Sequence, residues 1–376
     1  MERLAAEPRP DWRAHVERDL GFAFHTMDGA LYWDESACYR FTTDEVDEIE
    51  AATNDLEGLC LELVDKVVDK GEEALERLHI PRHAWEAIAG SWHVGEKNLY
   101  GRFDLRHDGA GPPKLLEYNA DTPTSLFEAA VVQWDWLETQ WPDRDQFNSI
   151  HDRLIEAWRG FGLGRERVYF SAIRDSIEDA GTADYLRDTA IQAGLDTAPI
   201  AVEDIGWDGE RFLDLDNREI AILFKLYPWE WLVNEDFGAH LLTGVTKVIE
   251  PAWKMVLSNK AMLALLWEMA PGHPNLLPAS LDPSAFAGKT VRKPIFGREG
   301  ANVQVRDGAA VLAESAGDYG AEGFVWQEYA ELPCFGGQYP VIGSWVVASQ
   351  SAGMGIREDS SPITRDTSRF IPHFFD

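Results

Sequence analysis

Over residues 43 to about 70, apolar side chains return every three or four positions, so that Val46, Ile49, Leu56, Cys60, Leu63 and Val67 approximate one face of a helix. Thr43 or Asp44 is placed to cap it, because a short oxygen side chain at a helix start accepts the orphan N–H groups of the first turn. A second helical stretch follows Pro81, with Trp85 and Ile88 facing inward. The period then changes from 3.6 to 2. Residues 99–106 alternate as a strand, Asp108-Gly109 marks a turn, and residues 114–118 read as the return strand of a hairpin. A Thr-Pro-Thr entry at 122–124 leads into a helix over about 125–136.

The middle of the chain alternates strand and helix. Residues 167–172, 197–202 and 220–224 read as strands, and 178–193 as a helix stopped by Gly194. A further helix over 260–268 ends before Pro271. Strands at 290–295, 302–305, 323–326 and 341–347 follow, among frequent glycines. The pattern predicts a mixed α/β (α+β) fold. The aromatic stretch from Phe22 to Trp33 reads as packing, and Lys225 to Glu230 as a strand exit at a pocket rim.

Composition narrows the classes. The formal charge is 34 − 65 = −31, which speaks against binding nucleic acid through its phosphates. That charge either keeps the surface soluble or draws in a cationic substrate such as a polyamine. No stretch approaches the roughly 20 apolar residues needed to span a bilayer, and the start of the chain lacks the basic-then-apolar order of a secretion signal. Cys38, Cys60 and Cys334 are scattered, without metal-ligand spacing. A cytoplasmic protein, neither nucleic-acid-bound nor membrane-bound, is the expectation.

Four constellations can carry chemistry. In the first, Lys293 on a strand runs into a loop holding Gly297, Arg298 and Gly300, then Asn302. Glycines let backbone N–H groups approach an anion, and the cations neutralise it, although a plain hairpin turn also uses glycine. In the second, Glu117 and Asn119 share one strand face and Arg102 and Asp104 share another; pairing the strands would bring all four together. Two carboxylates and a carboxamide are hard oxygen ligands suited to Mg²⁺ held jointly with nucleotide phosphates, and a solvated face with cross-strand ion pairs is the alternative. The third is Gly353 to Asp359, where a glycine-flanked Arg357 suits a mobile loop closing on a phosphate, or an ordinary surface turn. The fourth is the step Arg174 to Thr182 after a strand, where Glu178 and Asp179 either hold ammonium groups or complement a helix N-terminus. His25, His107, His273 and His373 lack partners at ligand spacing, and no Ser or Cys sits in a nucleophile elbow.

Lys260 after Ser258-Asn259, the Lys293 to Asn302 loop, Gly355-Ile356-Arg357-Glu358-Asp359, and Glu117 with Asn119, Ala120 and Asp121 together resemble the synthetase region of the glutathionylspermidine synthase family. The resemblance runs from about Asp11 to the end and is closest to the synthetase-only acid–amine ligases. It implies a permuted ATP-grasp fold with an associated α/β pre-ATP-grasp-like layer. The whole of 1–376 would be one synthetase unit. Within it, about 95–140 would form a metal- and acid-site hairpin and loop, 165–250 an α/β substrate layer, and 251–376 an ATP-grasp nucleotide-binding and lid region.

By that resemblance Lys260, Lys293, Arg298, Gly300, Gln327 and Arg357 bind or cover ATP, while Asp104, Glu117 and Asn119 hold Mg²⁺. Arg102 and Arg357 act in catalysis, with Arg102 facing the reacting carboxylate. Thr122 and Thr124 stand where the family has serines near the acid substrate, and Glu178-Asp179 where it has a Glu-Glu pair. The implied activity is ATP- and Mg²⁺-dependent joining of a peptide-like or glutathione-related acid to an amine through an acyl phosphate. Another ATP-dependent phosphotransferase, or a catalytically silent binding protein, remains the alternative.

Overall fold

The hairpin expected near residue 100 forms from strands Tyr100–Arg106 and Lys114–Asn119, with Arg102 opposite Asn119 and Asp104 opposite Glu117. The computed structural model describes every residue except Asp28 and Asp366. Alternation along the first strand sends Phe103 and Leu105 to one face and Arg102 and Asp104 to the other. The apolar face packs on the helix Thr43–Lys70, whose Glu57 accepts from the Tyr118 hydroxyl at 2.8 Å. Its cap is Thr42, one residue ahead of the expected pair. Thr42 accepts from Glu45 N–H while the Glu45 carboxylate accepts from Thr42 N–H, closing a capping box at the last extended residue.

Three further strands complete an antiparallel sheet in the order Arg369–Ile371, Gln350–Asp359, Tyr339–Val347, Tyr100–Arg106, Lys114–Asn119. The segment expected to be a mobile loop around Arg357 is therefore a buried strand paired on both edges. Its glycines serve close packing rather than mobility: a Cβ on Gly355 would lie 2.6 Å from the Phe370 ring.

A second antiparallel sheet runs Ala279–Ser280, Phe324–Glu328, Lys289–Pro294, Gln304–Asp307, Ala310–Glu314. It meets the hairpin where the register slips between Asp104 and Leu105. There the Leu115 and Leu116 carbonyls accept from Gln327 Nε2 at 2.9 Å and Lys293 Nζ at 2.7 Å.

The third layer is a parallel sheet ordered Lys247–Ile249, Ile222–Lys225, Val168–Ala172, Thr197–Ala201, with the helix Ile177–Gln192 crossing over. The strand Lys247–Ile249 went unread in the sequence, as did a small sheet joining Glu2–Ala5, Ala37–Phe41 and His373–Phe375. The helix expected over 125–136 extends to Gln140 and contains a π-turn at Glu128–Val132. Among the described residues, no helix is long and apolar enough to cross a membrane.

Candidate active site

The two antiparallel sheets and the carboxyl ends of the parallel strands enclose one cavity, and every residue to which the resemblance assigns a site role lines it, whereas Asn302, Arg174 and Gly353 of the candidate constellations do not. From the hairpin come Arg102, Asp104, Glu117 and Asn119. The Arg102 guanidinium donates to Asp104 at 2.7 and 3.1 Å and to the Thr124 carbonyl at 2.7 Å. Asn119 Nδ2 donates to both Asp104 and Glu117, each at 3.2 Å, so one carboxamide holds the two carboxylates together.

The second sheet and the turn before the helix Met262–Met269 supply the cations. Lys260 stays outside that helix: its N–H donates to the Ile295 carbonyl at 2.9 Å, and Nζ reaches the Gly297 carbonyl at 2.6 Å and Glu117 at 3.1 Å. Lys293 Nζ also donates to Gln327 Oε1 at 2.8 Å. Burial pushes Lys293 down to about 8, with Glu117 opposing and Lys260 reinforcing the shift. Burial would push Glu117 up, but Lys260 and Lys293 outweigh it and hold the carboxyl at about 2. Glu117 is thus ionised at neutral pH although enclosed.

The glycine loop lies across the cavity. Gly300 has φ +68°, and a Cβ there would collide with the Thr364 carbonyl, so the loop closes against the Pro362–Thr364 segment only because this residue is glycine. Arg298 NH2 donates to Thr122 Oγ1 at 3.0 Å, NH1 meets Glu230 at 3.4 Å, and the guanidinium lies over the Trp231 ring, 5.6 Å from its centre. Arg357 donates to the Ser368 and Arg365 carbonyls and to Ser125 Oγ at 3.3 Å, over the Tyr32 ring.

The acidic step lies at the end of Val168–Ala172. Ser176 caps the following helix by accepting from Asp179 N–H at 3.3 Å, and Glu178 and Asp179 enter the cavity from its first turn. Burial raises Asp179, with Ser176 and Arg298 opposing. Glu230 and Trp231 lie in the short helix Trp229–Leu232, which follows the neighbouring strand Ile222–Lys225; their signal in the sequence is the pocket-rim reading of Lys225 to Glu230. Also unread was a group behind Arg357, in which the Tyr32 hydroxyl donates to the buried Glu128 at 2.6 Å and lies 2.8 Å from Ser125 Oγ. Burial and the charge of Glu178 raise Glu128 to about 7.

A mixed α/β chain whose antiparallel sheets and parallel layer enclose such a cavity has the fold of the glutathione synthetase-like proteins. A glutathione synthetase-like effector from Globodera pallida superposes with a TM-score of 0.56 over 92% of this chain and 90% of its own, at 11% identity. The chain belongs to the family described as glutathionylspermidine synthase preATP-grasp, which it matches over residues 3–376. A Haemophilus influenzae protein named "Putative acid--amine ligase" is 45% identical over the full length of both chains. Crithidia fasciculata trypanothione synthetase is 30% identical over 80% of this chain. The bifunctional glutathionylspermidine synthetase/amidase of Escherichia coli is 27% identical over 89% of it. The match spans 50% and 58% of the lengths of those last two relatives. The relatives named for an activity are thus ligases and synthetases.

Proposed function

We propose that this chain is an ATP- and Mg²⁺-dependent acid–amine ligase of the permuted ATP-grasp type, forming an amide through an acyl phosphate. The observation that carries the reading is the meeting, in one cavity, of Lys260 and Lys293 with Asp104, Glu117 and Asn119 and with Arg102. A carboxylate is a poor electrophile. Its oxygen therefore first attacks the γ-phosphorus of ATP, and ADP leaves. The lone pair of a neutral amine then attacks the acyl carbon, the C–O bond to phosphate breaks, phosphate departs with that electron pair, and the nitrogen loses its proton. Such transfer is catalysed mainly by positioning and by fixed charge. Lys260, Lys293 and Gln327 would line the phosphates, with Gly300 holding the loop close to them. Arg298 and Arg357 would complete the charge around the transferring group, and Arg102 would orient the acid beside Thr122 and Thr124.

Asp104, Glu117 and Asn119 would hold Mg²⁺, whose charge offsets that of the phosphates. The fit rests on the donor set: two clustered carboxylates, the partly buried Glu117 kept ionised by Lys260 and Lys293, with a carboxamide that contacts both. Among the described residues no group of three or more His, Cys, Asp or Glu side chains is arranged to hold a metal, so phosphate oxygens and water would complete the shell. The names of the relatives and the −31 charge support a peptide-like acid and a cationic amine, with Glu178 and Asp179 on the amine side.

The test is a screen of acid–amine pairs for ADP release, with mass spectrometry of the products. A productive pair should yield ADP, phosphate and amide in equal amounts, and Glu117→Gln should lower the rate by about 100-fold or more, the loss expected when one electrostatic stabiliser is removed. Nucleotide turnover without amide for every pair, or normal Mg²⁺-dependent activity in Glu117→Gln, would sink the proposal.

A further inference from the structure

The parallel sheet reverses its order between Val168–Ala172 and Ile222–Lys225: from the first, the chain steps outward to Thr197–Ala201, then returns to the other side for Ile222–Lys225 and Lys247–Ile249. In open α/β sheets the crevice beyond the carboxyl ends of the two strands at such a reversal is where ligands bind. Here that crevice opens into the cavity, with Asp179 on one side and Glu230 and Trp231 on the other. What fills it is the Arg298 guanidinium, 3.4 Å from Glu230, 3.0 Å from Thr122 Oγ1 and over the Trp231 ring. A carboxylate beside an indole face is a setting that holds organic cations, because the ring quadrupole and the negative charge attract the same group. Burial raises Glu230, and Arg298 is the largest influence opposing that rise. Without a cation in place, only a backbone hydrogen bond and the more distant charge of Lys225 would oppose the cost of keeping this carboxylate charged.

Arg298 is also the arginine between the two cavity-lining glycines, 297 and 300, on a loop whose first carbonyl already touches Lys260. Resting on this ligase reading, we propose that Glu230 and Trp231 form a cation subsite that Arg298 fills in the nucleotide-free chain, and that a substrate ammonium group fills once nucleotide phosphates draw Arg298 away. The two events are linked. Nucleotide must break the Arg298–Glu230 contact to recruit the arginine, and its binding empties the subsite that the amine needs. Nucleotide and cationic amine therefore assist each other's binding, by the same factor in each direction.

Calorimetry on the full chain with Mg²⁺ and a non-hydrolysable ATP analogue, with and without spermidine as the probe cation, tests this. In the wild type, spermidine binds at least tenfold more tightly when the analogue is present. In Glu230→Gln the analogue binds several-fold more tightly than in wild type, because the arginine loses its ionic partner and is held only by Thr122 and the Trp231 ring, and the enhancement of spermidine binding is lost. Trp231→Leu, which keeps the carboxylate, reduces that enhancement without abolishing it. A purely structural role for Glu230 would leave nucleotide affinity unchanged or weaken it, and either result overturns the subsite. Spermidine binding indifferent to the analogue overturns it as well. If the wild type binds no nucleotide at all, the ligase reading falls with the subsite. If nucleotide binds normally and only the Glu230→Gln effect is missing, the subsite alone is wrong.

Discussion

Lys293 is 7% exposed, and its ammonium group rests on two carbonyl oxygens, one from the bulge at Leu116 and one from Gln327. With its pKa pushed down to about 8, the free protein begins to lose this positive charge just above neutral pH. A phosphate binds the protonated form, so nucleotide affinity should be constant below pH 7 and decline as pH rises through 8. The fall should approach tenfold per pH unit once the neutral amine predominates. Titration calorimetry between pH 6.5 and 9.5 measures this, and Lys293→Ala should bind about 10- to 100-fold more weakly with a flatter profile, the range for one hydrogen bond to a charged group. A wild-type affinity that is flat across that range would place the phosphates away from Lys293. The residue itself was legible, because a lysine on a strand running into a glycine loop is an unusual pairing in a chain with ten lysines. The depressed basicity was not, since it depends on burial and on the distance to Lys260.

Elements determine how closely these side chains meet. Gly343, in the strand Tyr339–Val347, lies between Asp104 on one neighbour and Gly355 on the other. A Cβ there would stand 2.8 Å from Arg102 Cδ, so the bare backbone is what lets Arg102 lie across the sheet toward Asp104. Gly343→Ala should cost about 1–3 kcal/mol of stability through overpacking. It should lower kcat/KM by roughly 100-fold, because a shift near 1 Å in a positioning group has that consequence. Melting temperature and steady-state kinetics measured on the same preparation separate the two effects. A variant with unaltered kinetics would remove Arg102 from the reaction. The hairpin that carries Arg102 was readable because its alternation is local and strict. The neighbouring strand was misread as a loop because Gly353, Gly355 and the charged tail from Arg357 to Asp359 weaken alternation, and only pairing on both edges makes that segment rigid.

Across the whole molecule, the two ends of the chain meet behind the site. Glu2–Ala5 and His373–Phe375 flank Ala37–Phe41, and Arg3 forms a two-pronged pair, at 2.8 Å on each prong, with Glu358, the residue next to Arg357. Tyr39 and Arg369 hold the same buried carboxylate. Arg3→Ala leaves Glu358 with two partners instead of three and should cost about 2 kcal/mol, typical of hydrogen bonds to a charged group. The loss should appear as a lower melting temperature at pH 7. An unchanged melting temperature would mean that Arg369 and Tyr39 suffice. Sequence alone determined the elements with a strong internal period, the residue types able to hold phosphate and metal, and the surplus of negative charge, because each depends on neighbours within a few positions or on simple counts. Tertiary structure decided which partner each charge meets. Arg298 lies beside Glu230, 68 residues away, and Lys293 reaches a bulge carbonyl 177 residues away. Such contacts are set by how sheets stack and where their registers slip, which no local pattern encodes.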